Sequence, residues 1–124
     1  MASYDPKAAG ELIMRCFHAR TAAHVLHLKT TSYAEHVALQ GFYDGVVDLA
    51  DRLAEAFQGE YQEIISSYPS GYQTPSTAMA LITGLCKWIS DNRDDVCDSS
   101  ECQAIIDGIL ELAHSTAYKL KFLK

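Results

Sequence analysis

Apolar residues return every three or four positions in four stretches of this chain, and no strand-like alternation of apolar and polar residues survives between them. The clearest stretch predicts a helix beginning after Ser32, where Ser32-Tyr33-Ala34-Glu35 forms a capping box, with Ser32 as cap and Glu35 reaching back. Val37, Ala38, Phe42, Val46, Leu49 and Leu53 make its core face, and Gly59 is a natural stop, with 61–65 able to extend it. The opposite face carries His36, Gln40, Asp44, Asp51 and Glu55, which at about 100° per residue fall within a sector of roughly 100°. A stripe of that kind faces water, a metal or a partner.

The other three helices read as follows. Asp5-Pro6 is a cap followed by proline at the first helical position and predicts a helix over 6–30, with Ile13, Cys16, Phe17, Ala23 and His27 at helical spacing. Thr74-Pro75 predicts a third start, with Met79, Ile82, Leu85, Cys86 and Ile89 inward and an end over 92–95. A fourth helix starts near 98–100 and carries Ile105, Ile106, Ile109, Leu110 and Ala113 inward. Residues 60–73 are rich in Ser, Pro, Gly and Tyr, and predict a long crossover between two helical hairpins. The fold class is therefore all-α, a single four-helix domain over 1–124, short enough for one core and too short for two.

The stripe has an axial geometry that decides how it could be used. Fifteen positions separate His36 from Asp51, roughly 22 Å along a helix at about 1.5 Å per residue, so one ion cannot bridge them within a chain. Two copies of the helix packed antiparallel about a two-fold axis near Tyr43 and Asp44 would set His36 of one beside Asp51 and Glu55 of the other. His27 would join them, because a short helical hairpin returns the end of the first helix to the start of the second. Asp51 and Glu55 lie one turn apart, the spacing that lets two carboxylates chelate or bridge a hard cation, and neutral imidazoles favour a transition metal over calcium or magnesium.

At these residues a family resemblance emerges. His36, Asp51 and Glu55 resemble the H-x3-D-x10-D-x3-E pattern of the Dps miniferritins, and His27, in His27-Leu28-Lys29-Thr30, resembles that family's first-helix histidine. The resemblance implies a ferritin-like four-helix bundle of two antiparallel hairpins, forming a homo-oligomer of at least a dimer and, in the family, a dodecamer. It also implies a ferroxidase that binds Fe2+ at di-metal sites across the dimer interface and oxidises it to Fe3+ with peroxide or dioxygen. His27, His36, Asp51 and Glu55 would be the ligands, and other divalent metals would suit the same set. The departures are Gln40, where the family often has a third carboxylate, Leu28 in place of a tryptophan, and a shorter gap from His27 to His36. His24 restores the usual gap one turn further back, and Asp44 is placed to substitute for the carboxylate absent at Gln40. Residues 105–123 read like the family's last helix, and in the family the crossover contains a short helix at the dimer interface.

Composition narrows the alternatives. A formal charge of −6 does not support DNA binding, and Lys119, Lys121 and Lys124 are too few to reverse that; an acidic shell suits cations instead. No apolar run is long enough to cross a membrane and no secretion leader is evident, so a cytoplasmic protein without a membrane partner is expected. The four cysteines are expected to be reduced. No nucleophile elbow or glycine-rich phosphate loop is present. Two rivals to the ferroxidase are a ferritin-like metal-binding or interaction module without catalysis, and an all-α dimeric scaffold or viral accessory protein whose stripe makes salt bridges.

Overall fold

A computed structural model describes residues 3–124. Four helices account for most of them: α1 (Pro6–Lys29), α2 (Tyr33–Tyr61), α3 (Ala78–Val96) and α4 (Ser100–Phe122). Each starts on a side-chain cap that takes one of the free amides of its first turn: Asp5 from Lys7, Ser32 from Glu35, Thr77 from Ala80 and Ser99 from Cys102. The first two starts agree with the sequence reading. Helix α3 begins later than Thr74-Pro75 predicts, because Thr77 is the residue that caps it and residues 74–75 remain non-helical.

The box at Ser32 is half formed. Glu35 donates its amide to Ser32 Oγ at 3.2 Å, but the Ser32 amide donates to Thr30 Oγ1 at 3.1 Å instead of to the Glu35 carboxylate. Helix α2 also runs through Gly59, an exposed position where a helix tolerates glycine, and stops at Gln62, whose left-handed backbone (φ 55°) ends the ladder.

The helix ends that meet define the topology. The Asp5 amide donates to Val96 O, the Tyr4 ring stacks on Tyr61, and Ser99 Oγ donates to Glu60, so the start of α1, the end of α2 and the α3–α4 turn share one end of the molecule. At the other end, Leu26, Lys29 and Glu35 line a groove with residues 74–78. Helices α1 and α4 therefore run one way and α2 and α3 the other, with the 62–77 segment crossing the length of the bundle. Contacts link α1 with α2 and α3, and α4 with α2 and α3, leaving α1 and α4 diagonal.

The core runs along the centre of this square. Leu12, Ile13, Leu39, Phe42, Leu53, Phe57, Ile82, Ile89, Ile106 and Ile109 are fully buried in it. Side chains of that size each contribute about 1.5–3 kcal/mol on burial, so the four apolar stripes are sufficient reason for the bundle.

The crossover is pinned at three places and contains no helix. At Gly10 it lies directly on the α1 backbone: a Cβ there would sit 1.9 Å from Ser67 O. Ile65 is buried, with its amide donating to Gln58 Oε1 at 2.8 Å. Further along, the Arg15 guanidinium lies between the Tyr72 and Trp88 rings, 4.7 Å from each centroid, while Glu11 holds it at 2.9 Å. The buried Tyr72 hydroxyl has no partner among the described residues, and its pKa is raised, first by burial and then by the Glu11 charge, against the opposing effect of Arg15.

The cysteines depart from expectation. Cys97 and Cys102 form a disulfide across the α3–α4 turn, whereas Cys16 and Cys86 are free thiols. The five-residue separation lies over a tight turn capped by Ser99, which brings the two side chains together in a way that spacing alone does not reveal. No helix is long and apolar enough to cross a membrane among the described residues.

Candidate functional site: a histidine clamp and an acidic helix face

The short 30–32 connection folds the end of α1 back onto the start of α2, and two histidines lock this corner reciprocally. His27 Nδ1 lies 2.6 Å from His36 O, and His36 Nδ1 lies 2.9 Å from His27 O. A carbonyl can only accept, so each Nδ1 carries the donated proton, and in the neutral ring Nε2 is left with the free lone pair. The two rings stack with centroids 3.5 Å apart and planes 17° from parallel.

The clamp satisfies the backbone as well. His27 O belongs to the last turn of α1, where carbonyls lack helical partners, and His36 supplies one of the missing donors. Two further rings extend the cluster. His24 stacks on Tyr43 at 4.2 Å, and Tyr43 meets His27 edge-on at 5.2 Å. Tyr43 was not singled out by its chemistry in the sequence, yet it lies two turns along α2 from His36, on nearly the same azimuth; that spacing is the signal that would have found it.

His27 is 6% exposed, His36 is half-buried, and His24 faces solvent. Gln40, Asp44, Asp51 and Glu55 are all exposed on the outer face of α2. Tyr33 and Val37, on the same face, are 82% and 48% exposed, so Val37 is not part of the core face as its apolar character suggested: at about 100° per residue it shares the azimuth of Glu55. Glu55 lines an open groove of about 590 Å³ between α2 and α4, together with Arg52 and Glu101. Among the described residues neither Arg20 nor Arg52 forms an ion pair with Asp51 or Glu55; the pairs present are Arg15–Glu11, Lys87–Asp91 and Arg93–Asp107.

The structure thus brings His27 and His36 together and keeps Asp51 and Glu55 roughly 22–28 Å further along the helix axis. Among the described residues of one chain, no group of three or more His, Cys, Asp or Glu side chains could hold a metal ion. His18 and His114 stand outside the cluster. His18 is partly buried, not solvated as its position off the apolar stripe suggests, with Nε2 3.3 Å from Gln73 O, and His114 is exposed on α4.

Fold and site together define an all-α four-helix protein with a long crossover, a histidine-clamped hairpin and an exposed acidic helix face. Residues 27–120 match the model of a family of unknown function, DUF5856, and the chain belongs to that family. No curated protein and no solved structure matches the chain.

Proposed function

We propose that this chain is a ferritin-like protein of the Dps type that binds Fe2+ at sites shared between two copies and oxidises it. The observation that carries the reading is the pair of reciprocal Nδ1–carbonyl hydrogen bonds. A metal-binding imidazole commonly donates its other nitrogen to a carbonyl or carboxylate, which fixes the tautomer and aims the remaining lone pair. The helix directions and the single long crossover are those of ferritin-like bundles, and the exposed stripe of α2 supplies carboxylates that form no ion pair among the described residues.

In this reading iron is the substrate. His27 and His36 of one copy would supply nitrogen, Asp51 and Glu55 of a second would supply negative charge, and His24, Gln40 or Asp44 would complete the set. Two Fe2+ ions each give up one electron to a peroxide, which takes up two protons and leaves as two waters; dioxygen is the alternative acceptor. Tyr33 and Val37 favour the pairing, since an antiparallel partner about Asp44 would cover both. The dimer is the minimum assembly and a dodecamer the larger form that the resemblance implies.

A second reading has its own support. The 3.5 Å stack and the burial of His27 suit a purely structural clamp, and Gln40 removes a carboxylate, as in a module that binds metal or a partner without turnover. Anaerobic Fe2+ titration followed by oxidant separates the two. Saturable binding with oxidation, lost in Glu55→Ala, supports the ferroxidase. Binding without oxidation supports the module, and no binding at all removes both metal readings.

A further inference from the structure

We propose that the end of the bundle formed by the last turns of α4 and the α1–α2 corner is a docking surface for an anionic lipid membrane. The inference is independent of the iron reading and departs from the sequence-based expectation of no membrane partner. It starts from charge segregation. Three of the six lysines of the chain, Lys119, Lys121 and Lys124, lie within its last six positions, and Lys29 stands at the same end of the bundle; all four are exposed. Glu35 is the one acidic side chain that lines the groove at this corner, together with Lys29. At the opposite end Asp5, Glu60, Asp94, Asp95, Asp98 and Glu101 are exposed, so a protein of net charge −6 still presents one basic tip.

The same tip is apolar. On the last turns of α4 Phe122 is 62% exposed, with Tyr118 and Leu123 exposed as well, and Leu28, at the end of α1, is 71% exposed. Tyr118 and Phe122 touch, with centroids 5.7 Å apart, and Lys121 Nζ lies 5.3 Å from the Phe122 centroid. Large apolar side chains interleaved with lysine match a headgroup layer, which offers anionic charge and, just beneath it, hydrocarbon.

Other anionic partners match half of this surface. The acidic end of a second copy would pair with the lysines, but among the described residues of that end Ile64 is the most exposed large apolar side chain. A nucleic-acid backbone would likewise leave Phe122 and Leu123 against water. The lipid surface is the occupant that satisfies both chemistries.

The test is co-sedimentation of the full chain with phosphatidylserine-containing vesicles and with pure phosphatidylcholine vesicles, at low and high salt. Binding is expected to the first alone and to weaken with salt. Each lysine at an anionic surface is worth about fivefold in affinity, so the triple variant Lys119→Glu, Lys121→Glu, Lys124→Glu should bind roughly a hundredfold more weakly or worse. Phe122→Ser should lose roughly tenfold through its apolar contact. These side chains lie outside the core, and an unchanged circular-dichroism melt verifies that both variants fold. Failure to bind phosphatidylserine vesicles, or equal binding to both kinds, overturns the proposal. So does lysine-dependent self-association in sedimentation velocity, or lysine-dependent capture of a DNA duplex, without vesicle binding.

Discussion

Replacing His36 with alanine is expected to loosen the α1–α2 corner more than its half-buried position suggests. The substitution removes two hydrogen bonds' worth of organisation: the 2.9 Å donation to His27 O is lost, and His27, deprived of its stacking partner, no longer has a fixed aim at the carbonyl of residue 36. Each such bond contributes about 1 kcal/mol net, and an orphaned, partly buried carbonyl about 1–3 kcal/mol. The ring stack adds about 0.5–1.5 kcal/mol. Because these terms overlap, the expected loss is about 2–3 kcal/mol, which for a domain of this length corresponds to a fall of roughly 8–12 °C in Tm. The companion variant His27→Ala leaves residue 36's carbonyl its helical acceptor role but opens a cavity at a nearly buried site. Urea denaturation of both single variants and the double variant forms a double-mutant cycle, in which coupling of about 1–2 kcal/mol is expected. Additive single effects, or a His36→Ala loss under about 0.5 kcal/mol, would refute the clamp.

Three further outcomes follow from the packing. Gly10→Ala places a Cβ 1.9 Å from Ser67 O, and relief by backbone movement should destabilise by about 1–3 kcal/mol and speed proteolysis within 62–77; an unchanged melt and cleavage pattern would contradict that close approach. Reducing the Cys97–Cys102 bridge reopens a short loop in the unfolded chain, with an expected loss of about 2 kcal/mol, read as a lower urea midpoint in reductant that a Cys97→Ser, Cys102→Ser variant reproduces without it. Burial pushes the Cys16 thiol from 9.0 up to about 12, so its contribution to stability is full below pH 9 and is lost as pH rises towards 12, because the unfolded thiol ionises first. The slope approaches about 1.4 kcal/mol per pH unit in that window and should flatten in Cys16→Ala; an identical alkaline slope in that variant would sink the assignment.

Much of the bundle was legible in the sequence because helices are local. Apolar spacing and the Asp5 and Ser32 caps mark the starts of α1 and α2, and the turn-rich 60–73 segment marks the crossover. The misses have particular causes. Thr74-Pro75 and Thr77 both offer a cap, and the sequence does not show which threonine the packed chain uses; Gly59 stops a helix only if no core contact carries it onward, and Phe57 and Tyr61 do so by packing on each other and on Tyr4. The disulfide and the Arg15 sandwich between Tyr72 and Trp88 join residues whose proximity depends on the tertiary fold. Within the site, the approach of His27 and His36 follows from hairpin geometry and was foreseeable. The exchange of Nδ1 protons with each other's carbonyls was not, since it depends on side-chain rotamers at a corner only a few residues long.

The most direct test of the iron reading is an iron-edge anomalous difference map from crystals grown anaerobically with Fe2+. The account predicts peaks within coordination distance of His27 and His36 of one chain and of Asp51 and Glu55 of a neighbouring chain related by a two-fold axis. Peaks confined to one set, or a lattice and solution assembly in which no neighbour's Asp51 or Glu55 approaches the histidine pair, would contradict it.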